Sequence, residues 1–101
     1  MTLRLGILQT TSGIDPAANA ATLTDGAAAC AADGAQILFT PEMTGLLDRD
    51  RARMLAHVTD EDGDPTLAAA RAAAARHGIW IHLGSCPVRG GADGKLRNRG
   101  W

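Results

Sequence analysis

Glu42 is the residue whose surroundings in the sequence best suit chemistry. It comes three residues after the apolar run Ile37–Phe39, and Pro41 stiffens the turn immediately before it. Functional groups of open α/β sheets gather beyond the carboxyl ends of the strands, where loops converge. A glutamate held there can act as a general base when partial burial raises its pKa toward the working pH. We therefore predict Glu42 to be a general base, provided that partial burial raises its pKa; the alternative is an ordinary loop carboxylate or a cap.

Other side chains capable of chemistry are less well placed. Cys86 could act as a nucleophile with His82 as its base only if one strand carries both, so a structural cysteine is the preferred interpretation. Cys30 lies on a helix face of small residues and is expected to pack. The three histidines, His57, His77 and His82, share no recognised ligand spacing, so neither a metal nor a cofactor is predicted.

The segments that must position these side chains alternate between strands and helices. Predicted strands cover Leu3–Leu8, Ile37–Phe39 (expected to be buried) and Ile79–Leu83. Helices begin at Asp15-Pro16 and Asp64-Pro65, because an Asp oxygen accepts a free backbone N–H and Pro is tolerated in the first turn. They end at Asp33-Gly34 and at Gly78. Strands that alternate with crossover helices indicate an α/β fold with a mostly parallel sheet.

Shorter segments complete the predicted fold. A short exposed helix is expected within 48–56, and a solvated acidic loop at 60–63. A glycine-rich turn at 90–94 is expected to form a hairpin connection into a fourth strand around 95–101. Trp80, in the middle of the third strand, is expected in the core.

Composition limits the classes of protein to consider. The chain has 101 residues, 46% of them hydrophobic and 21% charged, which is typical of one globular domain or less. Ten basic residues against eleven acidic ones leave no excess for binding a nucleic acid or an anionic membrane. The sequence has no signal-peptide core and no membrane span, and its two cysteines form no secreted disulfide framework. A cytoplasmic location is therefore expected.

The segment Phe39–Gly45 resembles the first catalytic motif of the nitrilase superfamily, a group of carbon–nitrogen hydrolases. The shared pattern is a hydrophobic strand, then Pro-Glu, then a short loop containing glycine. Five further segments resemble family features in the same order, so the resemblance extends over essentially all 101 residues. They are Leu5–Gln9, Asp15–Asn19, Gly34–Phe39, Ile79–Ser85 and Lys95–Arg99. The residues around Thr40 to Leu47 and Gly84 to Arg99 are closer to the amidase-like branch, which acts on small carboxylate-bearing amides, than to true nitrilases.

The resemblance implies a fold, a reaction and an incomplete unit. The fold is the first half of a four-layer α-β-β-α sandwich, so residues 1–101 would be the N-terminal portion of a single hydrolase domain that is incomplete at its C-terminus. In the family, a cysteine thiolate attacks a small amide or nitrile, a glutamate acts as the base and a lysine stabilises the oxyanion. The motif assigns the base to Glu42. No cofactor is implied, and the complete enzyme is expected to be a homo-oligomer.

Two catalytic groups of the family have no counterpart in this chain. The family's lysine and cysteine follow the strand that Lys95–Arg99 resembles, so Lys95 and Cys86 receive neither role. We therefore expect the chain alone to be inactive, with one apolar face of its sheet uncovered. The alternatives are a non-catalytic α/β binding or interaction module, and a pseudo-enzyme piece that associates with a full-length homologue. A lysine and then a cysteine in the downstream reading frame would favour the hydrolase.

Overall fold

A computed structural model describes residues 2–101 and confirms the alternation of strands and helices. The elements follow one another along the chain as β1 (Leu5–Ile7), α1 (Pro16–Ala32), β2 (Ile37–Phe39), α2 (Arg51–His57), α3 (Pro65–His77), β3 (Trp80–His82), β4 (Cys86–Arg89) and β5 (Leu96–Arg99). Every predicted strand and helix is present within a few residues of its expected bounds. Among residues 2–101, no helix is long and apolar enough to cross a membrane.

The first three strands form one parallel sheet in the order β1-β2-β3. Leu38, at the centre of β2, is opposite Gly6 of β1 and Ile81 of β3. Helices α1 and α3 pack against each other, and their buried faces meet the sheet in one hydrophobic core. That core includes Leu23, Ala27, Leu38, Leu67, Ala70, Ala73, Ile79, Leu83 and Cys86. The parallel arrangement brings the carboxyl ends of β1, β2 and β3 to the same edge.

The helix boundaries arise from the local signals in the sequence. The Asp15 carboxylate accepts the N–H of Ala17 at 3.0 Å, and Asp64 accepts that of Leu67 at 2.8 Å. Each aspartate therefore satisfies a donor that the first turn of a helix leaves free. At the other end of α3, Gly78 has a φ of 63°, a left-handed conformation that stops the helix at low steric cost.

The hairpin connection predicted at 90–94 is also confirmed, although the strand before it, β4, was not predicted. Strands β4 and β5 pair antiparallel as a separate two-stranded sheet. Beyond β5, Trp101 exchanges two backbone hydrogen bonds with Leu83, at 2.8 and 3.0 Å, next to the end of β3. These bonds hold the hairpin beside the three-stranded sheet.

The expected burial of Trp80 and of β2 is wrong. Trp80 is 78% exposed, and within β2 only Leu38 is fully buried, while Phe39 is 36% exposed. Side chains alternate between the two faces of a strand, and α1 and α3 cover only one face of this sheet. The other face displays Leu5, Ile7, Phe39 and Trp80; we call it the open sheet face. An uncovered apolar face was expected, and the structure confirms it.

The acidic loop at 60–63 is less solvated than expected. Asp60, Asp62 and Gly63 are exposed, but Glu61 is half-buried. Its carboxylate accepts the indole N–H of Trp101 and forms an ion pair with Arg99 at 3.2 Å. Contacts with residues near the end of the sequence therefore explain the burial of Glu61. The prediction missed them because it used only the residues of the loop itself.

Candidate functional site

Glu42 lies in the turn that directly follows β2, at the edge of the sheet where the three parallel strands end. This is the place expected from the sequence. The partial burial that the role of a base requires is not present within residues 2–101, because Glu42 is exposed. Next to it, Ile7, Leu8, Gln9, Phe39, Thr40 and Pro41 line an open, largely apolar groove at the ends of β1 and β2. Glu42 follows the last of these residues along the chain and is not itself part of the groove lining.

The backbone just before Glu42 is held by Thr40. The Thr40 N–H donates to the carbonyl oxygen of His82 at 3.1 Å, which extends the pairing of β2 with β3. Its hydroxyl oxygen accepts the N–H of Gly84 and the hydroxyl of Thr44, both at 3.0 Å. Thr40 is 8% exposed, so these bonds are largely shielded from water. Thr40 is therefore hydrogen-bonded both to Thr44 within the turn and to Gly84 in the segment that follows β3.

The backbone just after Glu42 is held by Ser85. The Ser85 hydroxyl oxygen accepts the N–H of Met43, and its carbonyl oxygen accepts the N–H of Thr44, both at 2.9 Å. Met43 has a φ of 53°, the only positive φ of a non-glycine residue within 2–101. Such residues cluster at functional sites, where neighbouring structure maintains an unfavourable backbone conformation.

Asn19 of α1 anchors the far end of the same turn. Its side-chain amide N–H groups donate to the carbonyl oxygens of Gly13 at 2.9 Å and Gly45 at 2.8 Å. Its side-chain oxygen accepts the N–H of Gly13 at 3.0 Å. A role for Asn19 was not predicted from the sequence. The available signal was its position, since a polar residue four and eight positions before Leu23 and Ala27 shares their buried face.

Cys86 packs beneath the turn, as expected for a structural cysteine. It is fully buried, and a Cβ added to Gly45 would come within 2.9 Å of its sulfur and 2.8 Å of the Thr66 hydroxyl. Burial, together with the negative charge of Asp64, raises the pKa of the Cys86 thiol to about 12, although a hydrogen bond from the Gly45 backbone opposes this shift. His82 is exposed in a different strand, so the structure does not support a Cys86–His82 pair.

Several solved structures of one enzyme are similar to this chain. A variant of the amidase from Nesterenkonia sp. AN1, with a glutamine in place of a glutamate and acrylamide added at the active-site cysteine, is 30% identical, with a TM-score of 0.72. The amidase after removal of its tag is 31% identical, also with a TM-score of 0.72. In both comparisons the match covers 89% of this chain and 35% of the amidase chain. A cysteine-to-serine variant, described as a member of the nitrilase superfamily, matches over 98% of this chain at 26% identity and a TM-score of 0.73.

This chain carries part of the nitrilase-superfamily amidase fold. The resemblance noted in the sequence is thereby confirmed, and so is the mixed α/β architecture. The chain spans about a third of the length of the amidase chains, 35% for the first two structures. No protein-family model matches the sequence, and no curated protein matches it.

The remaining candidate residues of this nitrilase-type fold are a lysine and two cysteines outside the Glu42 turn in sequence. Lys95 is exposed just before β5, and Cys86 is buried in β4. Cys30 is half-buried on α1 and faces β1, since a Cβ on Gly6 would come 2.7 Å from its sulfur. The described residues thus offer one exposed carboxylate on a rigid turn, with two cysteines engaged in packing.

Proposed function

We propose that Glu42 is the general base of a carbon–nitrogen hydrolase that cleaves small non-peptide amides or nitriles. The observation that carries this proposal is the turn itself. Glu42 projects from a backbone held by Thr40, Ser85 and Asn19, at the carboxyl edge of a parallel sheet whose fold is shared with nitrilase-superfamily amidases. A base must be held in a fixed direction, and a turn with buried hydrogen bonds meets that requirement.

The proposed reaction begins with a cysteine supplied by another part of the complete protein. Glu42 accepts the thiol proton, and the thiolate sulfur bonds to the carbonyl carbon of the amide. A thiol with a pKa near 8.5 needs such a base to react well at neutral pH. A lysine stabilises the negative oxygen of the tetrahedral intermediate. The carbon–nitrogen bond then breaks, and Glu42 returns the proton to the departing amine.

Water completes the cycle by hydrolysing the thioester. Glu42 takes one proton from the attacking water, the carbon–sulfur bond breaks, and the thiol regains its proton as the acid is released. The net reaction consumes one amide and one water and yields a carboxylic acid and ammonia. Because the cysteine and lysine are not assigned to residues of this chain, we propose that the 101 residues alone are inactive.

Small aliphatic amides are the first substrates to test. The Nesterenkonia amidase has been crystallised with butyramide and with acrylamide. The groove beside Glu42 is open and largely apolar, which favours a short hydrocarbon chain next to the reacting amide. Nitriles of the same size belong in the same panel, because the attack on carbon is chemically similar.

The test is ammonia release by the protein encoded in the complete reading frame that contains this chain. Glu42→Gln removes the base and is expected to lower kcat by at least about 100-fold. Glu61→Gln is the matched control, because Glu61 is the other glutamate of the chain and its carboxylate bonds to Arg99 and Trp101. Full activity in Glu42→Gln would overturn the proposal, provided that both variants are folded.

The second candidate function is a non-catalytic interaction module. It is favoured by the open sheet face, where Ile7 is 80% and Trp80 78% exposed. A folded complete protein that releases no ammonia from any amide or nitrile of the panel would favour this function over the hydrolase.

A further inference from the structure

The backbone conformation of Met43 is unfavourable, so contacts with neighbouring residues must stabilise it. With a φ of 53° it lies in the left-handed region, which residues carrying a Cβ rarely adopt. Met43 follows Glu42 directly in a turn that is held at Thr40 and at Gly45, so a change in its backbone angles must be accommodated by the residues between them, including Glu42. A relaxation of Met43 toward negative φ would redirect the turn and the carboxylate with it.

The Ser85 hydroxyl forms a hydrogen bond with the backbone of Met43. It accepts the Met43 N–H at 2.9 Å, while the Ser85 carbonyl accepts the Thr44 N–H at 2.9 Å. Ser85 is 4% exposed, so water has little access to replace the hydroxyl as a partner for Met43. One residue therefore satisfies the two consecutive backbone donors that follow Glu42.

Gly84 brings Ser85 to this position. A Cβ on Gly84 would come 2.3 Å from the carbonyl oxygens of both Thr40 and Pro41, a distance that no side chain tolerates. The connection between β3 and β4 therefore lies directly against the backbone that precedes Glu42, and Ser85 reaches the backbone that follows it. The two neighbouring residues hold Glu42 from both sides.

We propose that Ser85 is a positioning residue for Glu42, acting through the left-handed conformation of Met43. This inference rests on the proposed function, in which Glu42 is the base. Ser85 touches neither the substrate nor the reacting atoms; it fixes the turn from which the base projects. Displacement of a catalytic group by about 1 Å can cost about 100-fold in rate, so the loss of one hydroxyl here has a large expected effect.

The test compares Ser85→Ala with Ser12→Ala in the complete protein. Both remove a hydroxyl that contacts the same turn, but Ser12 donates to the Thr44 carbonyl at 3.2 Å and does not contact Met43. Ser85→Ala is expected to lower kcat at least about 10-fold with KM changed less than about threefold, because the base is displaced while the binding surface remains. Ser12→Ala is expected to keep kcat within about twofold.

A second substitution separates positioning from general stability. Asn adopts the left-handed conformation more readily than Met. The double variant Ser85→Ala/Met43→Asn is therefore expected to recover part of the lost kcat. If Ser85→Ala fails to fold, Ser85→Cys keeps the side-chain size with a weaker acceptor and is expected to show a smaller kcat loss of the same kind.

Amide hydrogen exchange gives a reading that does not depend on activity. The Met43 N–H is expected to exchange at least about 10-fold faster in Ser85→Ala than in Ser12→Ala. Unchanged exchange, or an unchanged kcat while Glu42→Gln is inactive, would overturn the positioning role and leave the proposed function intact. Full activity in Glu42→Gln would overturn both.

Discussion

The side chain of Asn19 provides the sharpest test of how the Glu42 turn is held. Asn19→Ala removes three hydrogen bonds, at 2.8, 2.9 and 3.0 Å, from a residue that is 8% exposed. Each such bond contributes about 0.5–1.5 kcal/mol net, so their loss costs about 1.5–4.5 kcal/mol. The higher helix propensity of alanine returns about 0.5 kcal/mol. We therefore expect the free energy of unfolding to fall by about 1–4 kcal/mol.

Asn19→Asp adds a dependence on pH. The aspartate keeps the oxygen that accepts the Gly13 N–H, but its second oxygen faces the carbonyl oxygens of Gly13 and Gly45. Two carbonyl dipoles raise the pKa of the introduced carboxyl in the folded state above its value of about 3.9 in the unfolded chain. Because the pKa is raised in the folded state, the stability that the protonated carboxyl contributes is fully present below about pH 4 and is lost as the pH rises. The deficit relative to the parent chain is therefore expected to grow between pH 4 and pH 7.

The assay is urea denaturation followed by circular dichroism at several pH values. Thr22→Ala is the control, because the Thr22 hydroxyl is exposed and bonds only to the local Ala18 carbonyl at 3.1 Å. It is expected to change the free energy of unfolding by less than about 0.5 kcal/mol. A comparably small change in Asn19→Ala, or an Asn19→Asp deficit that does not vary with pH, would refute the reasoning.

Three further predictions follow from burial. Trp80→Gln is expected to change the free energy of unfolding by less than about 0.5 kcal/mol, whereas Leu38→Ala, on the covered face of the same sheet, costs about 2–5 kcal/mol; equal losses in urea denaturation would contradict this contrast. In a Cys30→Ala background, Cys86 is expected to react with iodoacetamide only as fast as the chain unfolds, and labelling of the native chain at the rate of a free thiol would contradict its burial. Burial raises the thiol pKa of Cys86 from 9.0 to about 12. The thiol therefore ionises more readily in the unfolded chain, and the folded state loses stability as the pH rises from 9 toward 12. Cys86→Ala is expected to remove this pH dependence from the urea midpoints.

The elements of this fold were predictable because their signals are local. Asp15 and Asp64 cap their helices through N–H groups two or three residues away, and Gly78 ends α3 by its own backbone conformation. The parallel order of the sheet followed from the alternation of strands and helices, since short connections leave few other arrangements. The position of Glu42 at the sheet edge is a consequence of the same pattern.

The burial of individual side chains was less predictable, because it depends on what covers each face. Alternation along β3 indicates that Trp80 and Ile81 point to opposite sides, but it does not indicate which side the helices cover. The roles of Asn19 and Ser85 were missed for a related reason. Their partners, Gly45 and Met43, are 26 and 42 positions away along the chain, so no local pattern connects them.

The proposed role of Glu42 as a base sets two requirements. The first is a fixed direction, and the residues of this chain provide it through the buried bonds of Thr40, Ser85 and Asn19. The second is a partly buried environment, which shifts a carboxyl group toward use as a base near neutral pH. Here Glu42 is exposed beside an apolar groove, so any segment that covers the groove would also change the environment of the carboxylate. The residues of this chain thus provide the orientation that the proposed base needs, and substitutions that loosen the turn are expected to impair activity whether or not the groove is covered.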